Sequence, residues 1–262
     1  MNYNINRILL IISTSLNILF LLFGILIISR KGGLFYVKNK ISTIGKKNIQ
    51  TDLNINSYYK HKKSQFEILP ISNDYIVFLG DSITDEGEWV ELLGNSNIVN
   101  RGISGDTTRR ILNRLDAIVN TKPKQIFIMV GINDFMNEKK SIEEVLSQYK
   151  NILEELQAQI PQTQVFIQSV LPINNKLTYI YEDNNKVIKL NSKLQKLAAE
   201  FNYQYIDVFS FLVDAENQLD ARYTTDGLHL NGKAYLIWKD VVKKYVALTF
   251  SSVYKQENSL YN

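Results

Sequence analysis

The chain contains no cysteine. That excludes disulfides, thiolate metal sites, a cysteine nucleophile and an anchor on a lipidated cysteine, and it leaves the redox compartment open. Histidine is scarce as well: only His61 and His229 occur, so a reaction that needs an imidazole base has two candidates. A large excess of either charge is also missing. The net charge is +4 over 262 residues, and much of the surplus falls between Arg30 and Lys63 rather than along a basic face. This balance argues against nucleic acid as a partner. What is present, 45% hydrophobic and 21% charged residues, suits one globular α/β domain with an extra segment, and neither an internal repeat nor a second domain stands out.

Residues 8–28 carry no charged side chain and are mostly Ile, Leu and Phe, with Ser13, Thr14, Ser15, Asn17 and Gly24 interspersed. As a helix the run would span roughly 30 Å, the thickness of a bilayer core. It is longer than the apolar stretch of a secretory signal and lacks an Ala-x-Ala-like cleavage site. The expectation is an uncleaved single-pass transmembrane anchor over residues 1–31, with the membrane as partner. Two signals conflict over its orientation. Arg30, Lys31, Lys38, Lys40, Lys46 and Lys47 follow the run while Arg7 alone precedes it, which by the positive-inside rule puts the large domain in the cytoplasm. A short N-terminus before a long domain is instead the layout of an exported, signal-anchored enzyme, and the extracytoplasmic side is the expectation. Residues 32–65, rich in Lys, Asn, Ser and Tyr, read as a polar linker with one short helix around 57–64. Residues 251–262 read as a polar tail.

Over residues 66–250, apolar runs alternate with helical patterns. Strands are expected at 75–79, 97–100, 125–130, 164–170 and 203–208. Several are continuous apolar runs, as in a sheet buried on both faces. Between them, Ile111, Leu112, Leu115, Ile118 and Val119 share one helical face, as do Val145, Leu146, Tyr149, Ile152, Leu153, Leu156 and Ile160 up to the stop at Pro161. Val187, Asn191, Leu194, Ala198 and Phe201 keep the same period, and a last helix carries Tyr235, Trp238, Val241, Val242 and Tyr245. Alternating strand and helix define a doubly wound, five-stranded parallel sheet with helices on both faces. Ligands of such sheets bind at the carboxyl ends of the strands. Three polar loops fall there: Gly80-Asp81-Ser82, residues 102–108, and Gly131-Ile132-Asn133-Asp134.

Ser82 follows a strand and a glycine and precedes a helix expected at 86–93, so its hydroxyl can stand at the sheet edge with its own N–H at a positive helix start. Taken alone it is more readily a capping serine. Asp226 and His229, in Thr225-Asp226-Gly227-Leu228-His229, precede the last helix. At this spacing one turn can bring the carboxylate to the Nδ1–H and leave Nε2 free as a base. His229 alone would read as a cap or core histidine. Together with Ser82 the three fit the roles of nucleophile, base and orienter. Gly105 can offer an unobstructed N–H and Asn133 a side-chain amide to a developing oxyanion, although each alone reads as a turn residue.

The blocks Gly80-Asp81-Ser82-Ile83-Thr84, Gly102-Ile103-Ser104-Gly105-Asp106-Thr107-Thr108, Gly131-Ile132-Asn133-Asp134 and Asp226-Gly227-Leu228-His229 together resemble, in order and spacing, the four blocks of the SGNH (GDSL) hydrolase family. The stretch 105–115 and Lys122-Pro123-Lys124 are similar to the catalytic subunits of platelet-activating-factor acetylhydrolase Ib and their bacterial relatives. The resemblance covers about residues 76–246 and omits no signature position. It implies a flavodoxin-like three-layer α/β/α fold without a cofactor. It also implies Ser82 as nucleophile, His229 as base, Asp226 as its orienter, and Ser82, Gly105 and Asn133 as the oxyanion hole. The Gly-x-Ser-x-Gly elbow of α/β-hydrolases is absent.

The expected activity is removal of a short acyl group, acetyl first of all, from a polar alcohol such as a carbohydrate. The polar residues Asn174, Asn175, Lys176, Asn184 and Asn185 of loop 173–185, with few apolar members such as Leu177 and Tyr179, carry the preference for a polar alcohol. A lysophospholipase or thioesterase acting on longer chains is the alternative within the same chemistry, and a non-catalytic surface-binding module the alternative outside it. Asp81, Asp134, Asp226 and His229 show no recognised metal-ligand spacing, so no metal is expected.

Overall fold

A computed structural model describes residues 13–17, 57–69, 72–179 and 181–246. Of the apolar run at 8–28, only 13–17 fall in this set, and they are helical. The expected anchor otherwise lies outside the described residues, as do linker residues 32–56 and the tail. Among the described residues no helix is long and apolar enough to cross a membrane.

The first element, α1 (Ser57–Ile68), begins inside the segment read as linker and crosses the expected domain boundary at residue 66. Only Tyr59 and Phe66 of this helix are buried. Two anchoring residues among lysines leave too little apolar periodicity for the sequence to reveal that the helix packs.

Five parallel strands follow: β1 (Ile76–Gly80), β2 (Ile98–Gly102), β3 (Gln125–Met129), β4 (Gln164–Gln168) and β5 (Gln204–Ile206). Their spatial order is β2-β1-β3-β4-β5, the flavodoxin-like doubly wound order. Helices α2 (Ser82–Asp85) and α3 (Trp89–Leu93) lie between β1 and β2. Helices α4 (Thr108–Leu112) and α5 (Asp116–Val119) lie between β2 and β3. Helices α6 (Ile132–Met136) and α7 (Ile142–Gln159) precede β4. Helix α8 (Asn184–Glu200) precedes β5, and α9 (Gly232–Val246) closes the described chain.

Strand alternation sorts the core into two layers. Val77, Leu79, Ile126, Ile128, Val165 and Ile167 face an aliphatic layer that includes residues of α7 and α8. Phe78, Phe127 and Phe166 face the other side in matched register across β1, β3 and β4. Their rings stack at centroid distances of 4.9 and 4.5 Å, and Trp89 extends the row at 4.2 Å. Trp238 of α9 meets Trp89 edge-on at 4.6 Å. This aromatic layer fixes α3 and α9 against the sheet.

The helix expected over 111–119 is broken. Asn113 caps α4, and the Arg114 side chain turns into the core, where it reaches Asp106 and the carbonyls of Gly80 and Arg101. The helix expected at 86–93 is observed over 89–93 as α3, and a separate short helix, α2, starts at Ser82 itself.

Candidate active site

At the carboxyl end of β1 the chain turns directly into α2. Asp81 is the N-cap, its Oδ1 accepting the Ile83 N–H at 3.1 Å. The cap is therefore Asp81 and not Ser82, which leaves the serine hydroxyl available. Gly80 makes the tight return possible: a Cβ there would fall 2.2 Å from Thr84 Oγ1 and 2.5 Å from the Met129 carbonyl.

The turn before α9 brings the imidazole to this serine. Asp226 Oδ1 accepts the N–H groups of Leu228 and His229 at 2.9 and 2.8 Å. Its Oδ2 lies 2.7 Å from His229 Nδ1, and His229 Nε2 lies 3.0 Å from Ser82 Oγ. Burial raises the Asp226 carboxyl, but the hydrogen bonds from the His229 ring and the two backbone N–H groups outweigh it and hold the group down at about 2. Asp226 is therefore a fixed anion that orients the ring.

The second and third loops supply donors. Gly105 sits at φ +81°, a left-handed conformation that glycine adopts without strain. Asn133, in the first turn of α6, donates one amide hydrogen to the Asp106 carbonyl at 3.0 Å and accepts from Asn137 at 2.9 Å, leaving a second amide hydrogen. Among the described residues no hydrogen bond uses the N–H of Ser82 or of Gly105. All five residues singled out in the sequence thus stand on loops or first helical turns at one edge of the sheet, and Ser82, His229 and Asp226 are in direct contact.

Several supporting residues had no assigned role in the hydrolytic site, although Asp106 and Asp134 lie within the four sequence blocks. Asp134 Oδ2 accepts the Thr108 N–H at 2.9 Å, and its Oδ1 accepts the Thr108 hydroxyl at 2.6 Å and Lys140 at 2.8 Å, tying the second loop to the third. Asp106 forms a fully buried pair with Arg114 at 2.7 Å. Glu86 places Oε1 3.8 Å from His229 Nε2. These are single polar residues with no periodicity of their own, and only the fold shows what they face. Among the described residues no group of three His, Cys, Asp or Glu side chains could hold a metal ion.

The loop at 173–185 reads differently in three dimensions. Asn174 and Asn184 are buried and bond to the carbonyls of Leu219, Ile173 and Asn217. Asn175 pairs with the backbone of Glu182. Its polarity is largely structural, and its exposed members include Leu177, Tyr179 and Tyr181. The loop borders the site, with the Asn174 N–H donating to Gly227 O at 2.7 Å. A cavity of about 790 Å³ between α8, β5 and α9 is lined by none of the five site residues.

A serine hydroxyl in line with an imidazole and a carboxylate, with backbone N–H groups unused nearby, lies at the edge of a flavodoxin-like sheet. Residues 78–237 match the GDSL-like Lipase/Acylhydrolase family, and the chain belongs to that family. Platelet-activating factor acetylhydrolase IB subunit alpha2 of Homo sapiens is 32% identical over 167 residues, 61% of this chain and 70% of that protein. A solved chain from Streptococcus pneumonia, described in terms of platelet activating factor, superposes with a TM-score of 0.67 at 28% identity, covering 78% of this chain and 99% of that one. A GDSL-like lipase from Bacteroides thetaiotaomicron shares the fold at a TM-score of 0.63 and 24% identity, over 72% of this chain and 96% of that one. The protein is a carboxylic ester hydrolase.

Proposed function

We propose that Ser82 is the nucleophile of a two-step hydrolysis that removes a short acyl group, acetyl first of all, from a polar alcohol such as a carbohydrate. The observation that carries this reading is the line of contacts from Ser82 Oγ through His229 Nε2 and Nδ1 to Asp226, at 3.0 and 2.7 Å. Ser82 Oγ attacks the ester carbonyl while Nε2 takes the hydroxyl proton. The tetrahedral oxyanion is held by the N–H groups of Ser82 and Gly105 and by Asn133 Nδ2. His229 passes the proton to the departing alcohol. Water then adds to the acyl-enzyme with His229 as base, and the carboxylic acid leaves.

Two features support the substrate reading. The relatives at 32% identity are acetylhydrolases by description. Tyr179 and Tyr181 offer exposed rings on the loop that packs against Gly227, and a flat aromatic surface suits a sugar ring. The uncharged run at 8–28 supports a membrane anchor that holds the domain at a bilayer surface; the extracytoplasmic side is proposed against the Lys/Arg excess that follows the run.

A p-nitrophenyl ester series from acetate to octanoate tests the reading. The expected result is a kcat/KM that falls with chain length and no turnover of any member by Ser82→Ala. A kcat/KM that rises toward octanoate would replace the short-acyl reading with the lysophospholipase or thioesterase one. Undiminished turnover by Ser82→Ala would remove the nucleophile assignment.

A further inference from the structure

Helix α1 lies outside the residues that match the family, yet it reaches the candidate oxyanion loop from two sides. The connecting residue on the first side is Asp85, at the end of α2, whose side chain is only 7% exposed. Its Oδ1 lies 2.8 Å from Lys62 Nζ. Its Oδ2 accepts the Tyr58 hydroxyl and, at 3.3 Å, the N–H of Ser104. Ser104 immediately precedes Gly105. On the second side the Tyr59 hydroxyl donates to the Arg110 carbonyl at 3.2 Å, and Arg110 Nη1 donates to the Gly105 carbonyl at 3.0 Å. Phe66 completes the seat, with the Arg101 guanidinium 4.6 Å from its ring centroid.

These contacts add to a turn in which the Asp106 N–H donates to the Ile103 carbonyl at 3.1 Å across Ser104 and Gly105. Ile103 N–H bonds to Gly80 O at 3.1 Å, and the Asp106 carbonyl accepts from Asn133, so both ends are fixed by the sheet and the third loop. Ser104 and Gly105, between those ends, are gripped through Asp85 and Arg110. Burial and the neighbouring Asp85 carboxylate push the Tyr58 phenol up to about 12, so it remains a donor at neutral pH. Deprived of Lys62 and Tyr58, a largely buried carboxylate would lose its compensation and turn toward water, away from the Ser104 N–H.

We infer that α1 is part of the machinery that sets the oxyanion hole, with Tyr58 and Lys62 as positioning residues that act through Asp85 on the Ser104–Gly105 peptide. This rests on the assignment of Gly105 as an oxyanion donor in the proposed hydrolysis.

The test uses the full chain carrying Tyr58→Phe, Lys62→Met, both together, or Lys62→Arg. Steady-state turnover of p-nitrophenyl acetate is measured beside inhibition by ethaneboronic acid, which forms a tetrahedral anion on a nucleophilic serine. The double variant should lose roughly tenfold or more in kcat, the scale set by slight misplacement of a transition-state donor, with KM within about twofold. Boronate affinity should weaken by a similar factor. Lys62→Arg keeps a cation at Asp85 and should stay within about twofold of the wild-type kcat. Unchanged kcat and boronate affinity would overturn the inference, even with a lower melting temperature, and so would a loss confined to KM. If the double variant does not fold, Tyr58→Phe alone, which removes one hydroxyl, reads the same two quantities. Ser82→Ala separates the two levels. If it is inactive while the α1 variants keep full kcat, only the positioning role fails; if it retains turnover, the hydrolase reading beneath it fails.

Discussion

His229 has a carboxylate facing each nitrogen of its ring: Asp226 2.7 Å from Nδ1 and Glu86 3.8 Å from Nε2. The first holds Nδ1, and the second lies on the Nε2 side, through which the proposed mechanism passes the proton. Asn133 is the proposed oxyanion donor easiest to remove, and Asn133→Ala should cost about 3 kcal/mol of transition-state stabilisation. A rate within threefold of wild type would count against its role. Asp81 makes a pH prediction. Burial, partly opposed by the Ile83 N–H, pushes its carboxyl up to about 7. The folded chain therefore keeps this proton at a pH where the unfolded chain, titrating near 4, has released it. Folding binds the proton, so this contribution to stability declines as pH rises from about 4 to 7. Denaturant unfolding of Asp81→Asn, which keeps the capping oxygen, should show a flatter decline over that window than wild type. Identical pH profiles would contradict the assignment. Asp226 works in the opposite sense: held at about 2, its contribution is present above about pH 4 and is lost as pH falls through about 2.

The elements around Ser82 are held by close packing as much as by polar contacts. Gly80 is a point of close approach, and Gly80→Ala would drive a methyl into Thr84 Oγ1 and the Met129 carbonyl. Overpacking of this kind costs about 1–3 kcal/mol, and the melting temperature should fall. An unchanged melting temperature would mean that α2 yields freely. The strands were legible because they are short apolar runs closed by polar loops, and the Asp226–His229 turn because a three-residue spacing has few ways to close. The short helix α2 at Ser82 and the break at Asn113 were not legible. Each depends on a tertiary contact: α2 turning back on Gly80 and Gly102, and Arg114 bonding to Asp106. The inward turn of Asn174 and Asn184 was hidden for the same reason, since side-chain polarity in a sequence does not show which backbone groups it satisfies.

At the scale of the whole molecule, an N-terminal apolar run precedes a family domain, and α1, ahead of the family match, contacts Asp85 and Arg110 beside the second loop. If residues 8–28 anchor the protein, the full chain should sediment with membranes and resist extraction by salt, and a chain lacking residues 1–31 should not. Recovery of the full chain in the soluble fraction would remove the anchor. The central claim concerns Ser82, and it is tested most directly by labelling the full chain with a fluorophosphonate and mapping the adduct by peptide mass spectrometry. A single adduct on Ser82, formed at a rate that follows esterase inactivation and absent from Ser82→Ala, is the predicted result. Labelling at another residue, or inactivation of Ser82→Ala by the same reagent, would contradict it.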